Sequence, residues 1–97
     1  MEKSGIKQQI IDEICALAQK YHIQKVILFG SRAREDCKRT SDIDLAVKGG
    51  EIERFSLDVE EETSTLLKYD IIDLDRELQP ELLESIRKEG IILYEKV

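Results

Sequence analysis

The sequence has no tryptophan, one proline, one methionine, one histidine and two cysteines among its 97 residues. Cys15 and Cys37 are too few for a disulfide framework or a four-ligand zinc site. That cysteine usage makes the reducing cytoplasm the expected compartment. No stretch approaches the roughly 20 apolar residues of a membrane-spanning helix. Met1 to Ile10 lacks the apolar core behind a basic end that marks a signal peptide. Positive charge is scarce too: 15 Lys plus Arg against 21 Asp plus Glu leave a formal net charge of −6. Such a balance argues against a surface that grips duplex DNA along its whole extent. With 41% hydrophobic and 37% charged residues, the chain reads as a folded globular protein. Its length fits one domain, expected over residues 1–97. A separate substrate domain has no room, so a partner is expected to complete any enzymatic site.

Helix and strand patterns alternate. Ile6, Ile10, Ile14, Leu17 and Tyr21 recur at helical spacing and predict an amphipathic helix over 6–21. Lys25 to Phe29 is a short β-branched apolar run, expected as a buried strand ended by Gly30-Ser31. A short helix is expected from Ser31 to about Asp36. Ile43, Leu45 and Val47 alternate with Asp42, Asp44 and Ala46 as a second strand. Ile52, Phe55, Val59, Thr63 and Leu66 predict a helix over 51–67, and Tyr69 to Leu74 a third strand. Pro80 suits a helix first turn, with Leu82, Leu83 and Ile86 on its apolar face. Gly90 stops that helix before a last strand, Ile91 to Tyr94. The expected order is α-β-α-β-α-β-α-β, an α/β (α+β) domain with a mixed sheet flanked by helices.

Three features carry chemistry. Gly30-Ser31 follows a buried strand and opens a helix, where glycine allows a tight turn and a close ligand approach. Backbone N–H groups at a helix start, with a hydroxyl beside them, suit phosphate oxygens. Asp42 and Asp44 lie two residues apart on a strand, so their carboxylates share one face. Parallel carboxylates repel unless a cation sits between them, and an oxygen-only set favours Mg²⁺ or Mn²⁺ over zinc. A third carboxylate from the YDIIDL strand would complete the cluster. Asp70 and Asp73 are both present there, three residues apart and on opposite faces, and spacing alone does not choose between them.

The joint pattern is a Gly-Ser pair, ten residues, then Asp-x-Asp. The stretches Phe29-Gly30-Ser31-Arg32-Ala33-Arg34 and Ser41-Asp42-Ile43-Asp44-Leu45-Ala46 resemble the minimal nucleotidyltransferases of the DNA polymerase β superfamily. The resemblance extends to the leading helix, the YDIIDL strand and the closing EGIILYEK segment. It implies a polymerase β palm-like fold and transfer of a nucleoside monophosphate from an NTP, with ATP the expected donor. It implies that Gly30, Ser31 and Arg32 contact the nucleotide, and that Asp42, Asp44 and a third carboxylate hold two Mg²⁺ ions. The family's hydrophobic-Asp-hydrophobic strand start matches Tyr69-Asp70-Ile71, which favours Asp70. One departure stands out: the family often carries Gly after the second Arg, where this chain has Glu35 followed by Asp36. Arg32, Arg34, Lys38 and Arg39 offset that negative charge or simply form a solvated basic face.

The resemblance implies a small helical partner, either a HEPN-type toxin or a substrate-binding companion, in a hetero-oligomer. In the toxin case it implies an antitoxin that transfers AMP to a tyrosine of the toxin. The alternative is an antitoxin or scaffold that acts by contact with little or no catalysis. An antibiotic-modifying enzyme would usually carry a further helical domain that this length does not accommodate. Cys15 is expected in the core, Cys37 in a polar loop, His22 as a helix C-terminal cap and Glu60 to Glu62 on a solvated helix face. Leu57 lies off its helix stripe and marks a candidate partner surface.

Overall fold

The computed structural model describes residues 2–3, 6–34 and 41–96. The elements in chain order are β1 (Glu2–Lys3), β2 (Ile6–Lys7), α1 (Gln8–Lys20), β3 (Lys25–Phe29) and α2 (Ser31–Arg34). They continue with β4 (Ile43–Lys48), α3 (Ile52–Glu62), β5 (Tyr69–Asp73), α4 (Pro80–Glu89) and β6 (Ile91–Glu95). A four-stranded mixed sheet runs in the order β5-β4-β3-β6. β3 is antiparallel to both β4 and β6, while β4 and β5 are parallel. The parallel pair needs a crossover, which α3 supplies.

Strand alternation sends β4 residues to two different environments. Ile43, Leu45 and Val47 are fully buried against α1 and α3, with Ile10, Ile14, Ala18, Phe55 and Val59 opposite them. Each such side chain contributes about 1.5–3 kcal/mol on leaving water, so this layer dominates stability. The other face has a smaller cluster, in which Ile86 of α4 meets Phe29 and Ala46, bordered by Ile27, Ile72, Leu74 and Leu82. Among the described residues, no helix is long and apolar enough to cross a membrane.

Three expectations are corrected. The first helix starts at Gln8 rather than Ile6, because Ile6 and Lys7 pair with Lys3 and Glu2 in a small hairpin that the sequence reading lacks. Ile6 is nonetheless buried, which is why it fitted the helical stripe. The helix expected over 51–67 ends at Glu62. Thr63 turns into extended geometry at ψ 151°, and its buried hydroxyl donates to the Val59 carbonyl at 2.6 Å. Leu66, placed on the apolar stripe by spacing, is fully exposed beyond that turn. The short helix after Gly30 is described to Arg34. Glu35, Asp36, Cys37, Lys38 and Arg39 lie outside the described residues.

Candidate functional site

β3 delivers its last residue, Phe29, into register with Asp44 of β4. The chain must then turn away at once. Gly30 does so at φ 76°, in the left-handed region, and a Cβ there would overlap Oδ2 of Asp44. The Gly30 carbonyl accepts from the N–H groups of Ala33 at 3.1 Å and Arg34 at 3.2 Å, which closes the single turn of α2. Ser31 stands half-buried at its start.

Asp42, just before β4, is exposed and Asp44 on β4 is half-buried, both on the side opposite Ile43 and Leu45. The parallel register sets Asp70 of β5 beside Asp44 and Asp73 beside Val47. Alternation therefore puts Asp70 on the Asp44 face and Asp73 on the other. Asp73 is engaged locally: it accepts from the Asp75 N–H at 2.8 Å and lies 3.5 Å from Arg76 Nε. The Ile43 N–H donates to the Lys68 carbonyl at 2.8 Å, so both strands begin together at the carboxylate end.

The Asp44 carboxyl is raised above its ordinary value of 3.8. Burial is the largest cause, followed by the charges of Asp70 and Asp42, with Arg34 and Arg32 pulling the other way. The charges of Asp70 and Asp42 thus both reach Asp44. Among the described residues, no three His, Cys, Asp or Glu side chains close tightly enough to form a metal cage by themselves. The donor set nevertheless fits a hard divalent cation. It is oxygen-only and carries the mutual repulsion that such a cation relieves.

Arg32 was expected to contact the nucleotide because it adjoins Ser31. The structure buries its side chain to 1% exposure and directs it to the Ser41 carbonyl, with Nε at 3.1 Å and an η nitrogen at 2.8 Å. Both donors of this fork converge on the residue before Asp42, so Arg32 clamps the turn to the start of β4. Arg34 extends outward to an ion pair with Glu89 of α4 at 3.0 Å. The Ser41 carbonyl and Glu89 were not among the sequence-derived candidates. Arg34 and Glu89 are 55 residues apart, and no local pattern joins them.

Comparison with known proteins agrees with this fold. Among solved structures, a toxin-antitoxin with AMP-PNP superposes with a TM-score of 0.71 at 22% identity, over 89% of this chain and 73% of that one. A mutant of the toxin-antitoxin MntA-HpeT gives 0.70 at 20% identity over the same shares. A structure from Shewanella oneidensis gives 0.59 at 19% identity, over 93% and 74%. At these identities the likeness establishes the fold. Among curated protein sequences none matches. The family model "Polymerase beta, Nucleotidyltransferase" matches residues 9–97, which include the Gly-Ser turn and all three carboxylates, and the chain belongs to that family.

Proposed function

We propose that the chain transfers a nucleoside monophosphate, AMP from ATP, to a hydroxyl group on a small helical partner protein. The observation that carries this reading is the register of Asp44 with both Phe29 and Asp70, which sets the carboxylates against the Gly30-Ser31 turn. Asp42, Asp44 and Asp70 would hold two Mg²⁺ ions. Bound there, the ions would neutralise phosphate charge and stabilise the attacking and leaving oxygens. The Ser31 hydroxyl and the N–H groups of the turn would hold the β- and γ-phosphates. Gly30, lacking a side chain, lets them approach Asp44. Arg32 fixes the distance between turn and strand through Ser41. Asp70 is exposed on an edge strand, open to an incoming acceptor, and would take part in activating its hydroxyl. That hydroxyl would give its proton to Asp70 as its oxygen bonds to the α-phosphorus, and the bond from the α-phosphorus to the bridging oxygen breaks, so that pyrophosphate departs with its electron pair.

Two neighbours described as toxin-antitoxin, one of them with AMP-PNP, support a protein partner and an adenine nucleotide. A tyrosine on a HEPN-type toxin is the acceptor this reading favours, with the chain as antitoxin. The test incubates the chain and its co-purified partner with Mg²⁺ and α-labelled ATP, beside Asp42→Asn with Asp44→Asn. A labelled partner that vanishes in the double variant is the expected result. Equal labelling by the variant would overturn the proposal, and an intact complex that never labels would point to action by contact alone.

A further inference from the structure

The carboxylates are not held equally. Asp44 sits on β4, which is paired on both sides, whereas Asp70 sits on β5, which has β4 as its single neighbour. Asp70 is also only the second residue of its strand, next to the loop that joins α3 to β5. The first residues of an edge strand are where pairing frays most easily. The ladder therefore holds Asp70 from one side alone.

Tyr69 supplies a second hold. Alternation sends its ring to the face opposite Asp70, where it packs against the main core, as Ile71 does. Its hydroxyl lies 2.8 Å from Thr63 Oγ1. Thr63 gives its one hydroxyl proton to the Val59 carbonyl at 2.6 Å, so Tyr69 is the donor to Thr63. Burial pushes the Tyr69 phenol above its ordinary value of 10.0, which keeps that donor proton in place. Val59 and Thr63 are both buried, so this chain of bonds runs from the neighbour of Asp70 into the packed end of α3. Within the sheet, the Ile43 N–H donates to the Lys68 carbonyl. Tyr69 is thus fixed in two directions, along the sheet and through its face.

The intervening loop is set by polar bonds rather than by apolar burial. Glu13 of α1 accepts from the Ser64 N–H at 2.9 Å and from the Ser64 hydroxyl at 2.8 Å. The Thr65 N–H donates to the Thr63 carbonyl at 2.9 Å, and the Leu67 N–H to Thr65 Oγ1 at 3.1 Å. Filling the core does not require the Tyr69 hydroxyl: phenylalanine would occupy the same space without the cost of burying a polar group. Exchanging a hydrogen-bonded pair for apolar groups of the same shape is close to neutral for stability. What the pair adds is direction.

We propose that Tyr69, acting through Thr63, is a positioning residue that holds Asp70 in reach of the cation it would share with Asp44. The inference rests on the catalytic reading above and adds to it the residues that set the third carboxylate.

The test measures Mn²⁺ binding to the full chain by electron paramagnetic resonance of the free ion, which needs no transfer activity. Tyr69→Phe should weaken binding by about three- to tenfold with little change in melting temperature. Thr63→Val should do the same, and Thr63→Ser, which keeps the hydroxyl, should not. In an Asp70→Asn background Tyr69→Phe should have no further effect. At saturating Mg²⁺, Tyr69→Phe should lower kcat for label transfer and leave the KM for ATP in place. Unchanged Mn²⁺ binding in Tyr69→Phe would overturn this inference alone. Equal weakening with and without Asp70 would also overturn it, by showing a general loosening of the fold. An unsubstituted chain that binds no Mn²⁺ would overturn the catalytic reading and this inference together.

Discussion

On one face of the sheet, β4 shows Ile43, Leu45 and Val47 to α1 and α3, all fully buried. On the other it shows Asp44, Ala46 and Lys48, with Asp42 just before the strand, and of these only Ala46 is buried. The same six-residue strand therefore serves two requirements that compete elsewhere. Apolar burial on the first face supplies stability, which frees the second face to hold groups that repel one another. α4 covers only the middle of that second face, through Ile86 and Leu82. The carboxylate end and the lysine end remain outside its apolar contact.

The comparison is sharpest when each face is broken separately. Asp42→Asn with Asp44→Asn should reduce label transfer by roughly 10⁴-fold, several kcal/mol of transition-state stabilisation, without lowering the melting temperature. A variant that loses both activity and fold would show that the acids also hold the domain together. Phe55→Ala on the buried face should destabilise by about 3–5 kcal/mol in urea denaturation. A loss under about 1 kcal/mol would mean that the α3 layer is not the main source of stability.

Gly30→Ala tests the seam between the two faces. Its left-handed φ and the overlap with Asp44 predict a loss of about 1–3 kcal/mol. Transfer activity should fall beyond what the remaining folded fraction explains. Normal activity in the folded fraction would show that Asp44 can shift without consequence.

Acidity gives a subtler contrast. The raised Asp44 carboxyl means that the folded chain binds that proton more tightly than the unfolded chain. Its ionised form is therefore unfavourable at neutral pH, and the penalty fades as pH falls through the raised folded value toward 3.8. Asp44→Asn should raise the melting temperature at about pH 7 and leave it nearly unchanged at about pH 3. A drop at neutral pH would show that its attraction to Arg34 and Arg32 outweighs burial and acidic repulsion. The smallest effect belongs to Leu66→Ser, which should change stability by less than about 0.5 kcal/mol because that side chain is fully exposed. A larger loss would mean that the turn after α3 leans on it.

Much of this arrangement was legible in the residues. The alternation of Ile43, Leu45 and Val47 with Asp42 and Asp44 fixes which side of the strand each occupies. Gly30 after an apolar run marks a turn with room for a ligand. Register was not legible: Asp70 and Asp73 looked equivalent by spacing, the family resemblance favoured Asp70, and the pairing with Asp44 puts the two on opposite faces. Side-chain direction was hidden as well. The sequence reading expected Arg32 to contact the nucleotide, and its burial on the Ser41 carbonyl could not be read from adjacency to Ser31. Helix ends failed where a local bond overrode periodicity, as at Thr63, whose hydroxyl reaches back to Val59.

The position of β5 at the sheet edge has a kinetic consequence. Phe29 and Asp44 are 15 residues apart in sequence, against 26 for Asp44 and Asp70, and the smaller separation favours earlier pairing. Asp70 arrives only after the α3 crossover, on a strand with a single neighbour. Edge elements of this kind open in partial unfolding events well before the central strands do. Mild denaturant should then speed amide exchange at Ile71 and Ile72 before it does so at Leu28 and Leu45. The Gly30-Ser31 turn would outlive the pairing of Asp70 with Asp44, leaving a chain that still holds its central strand pair after its three acids have come apart.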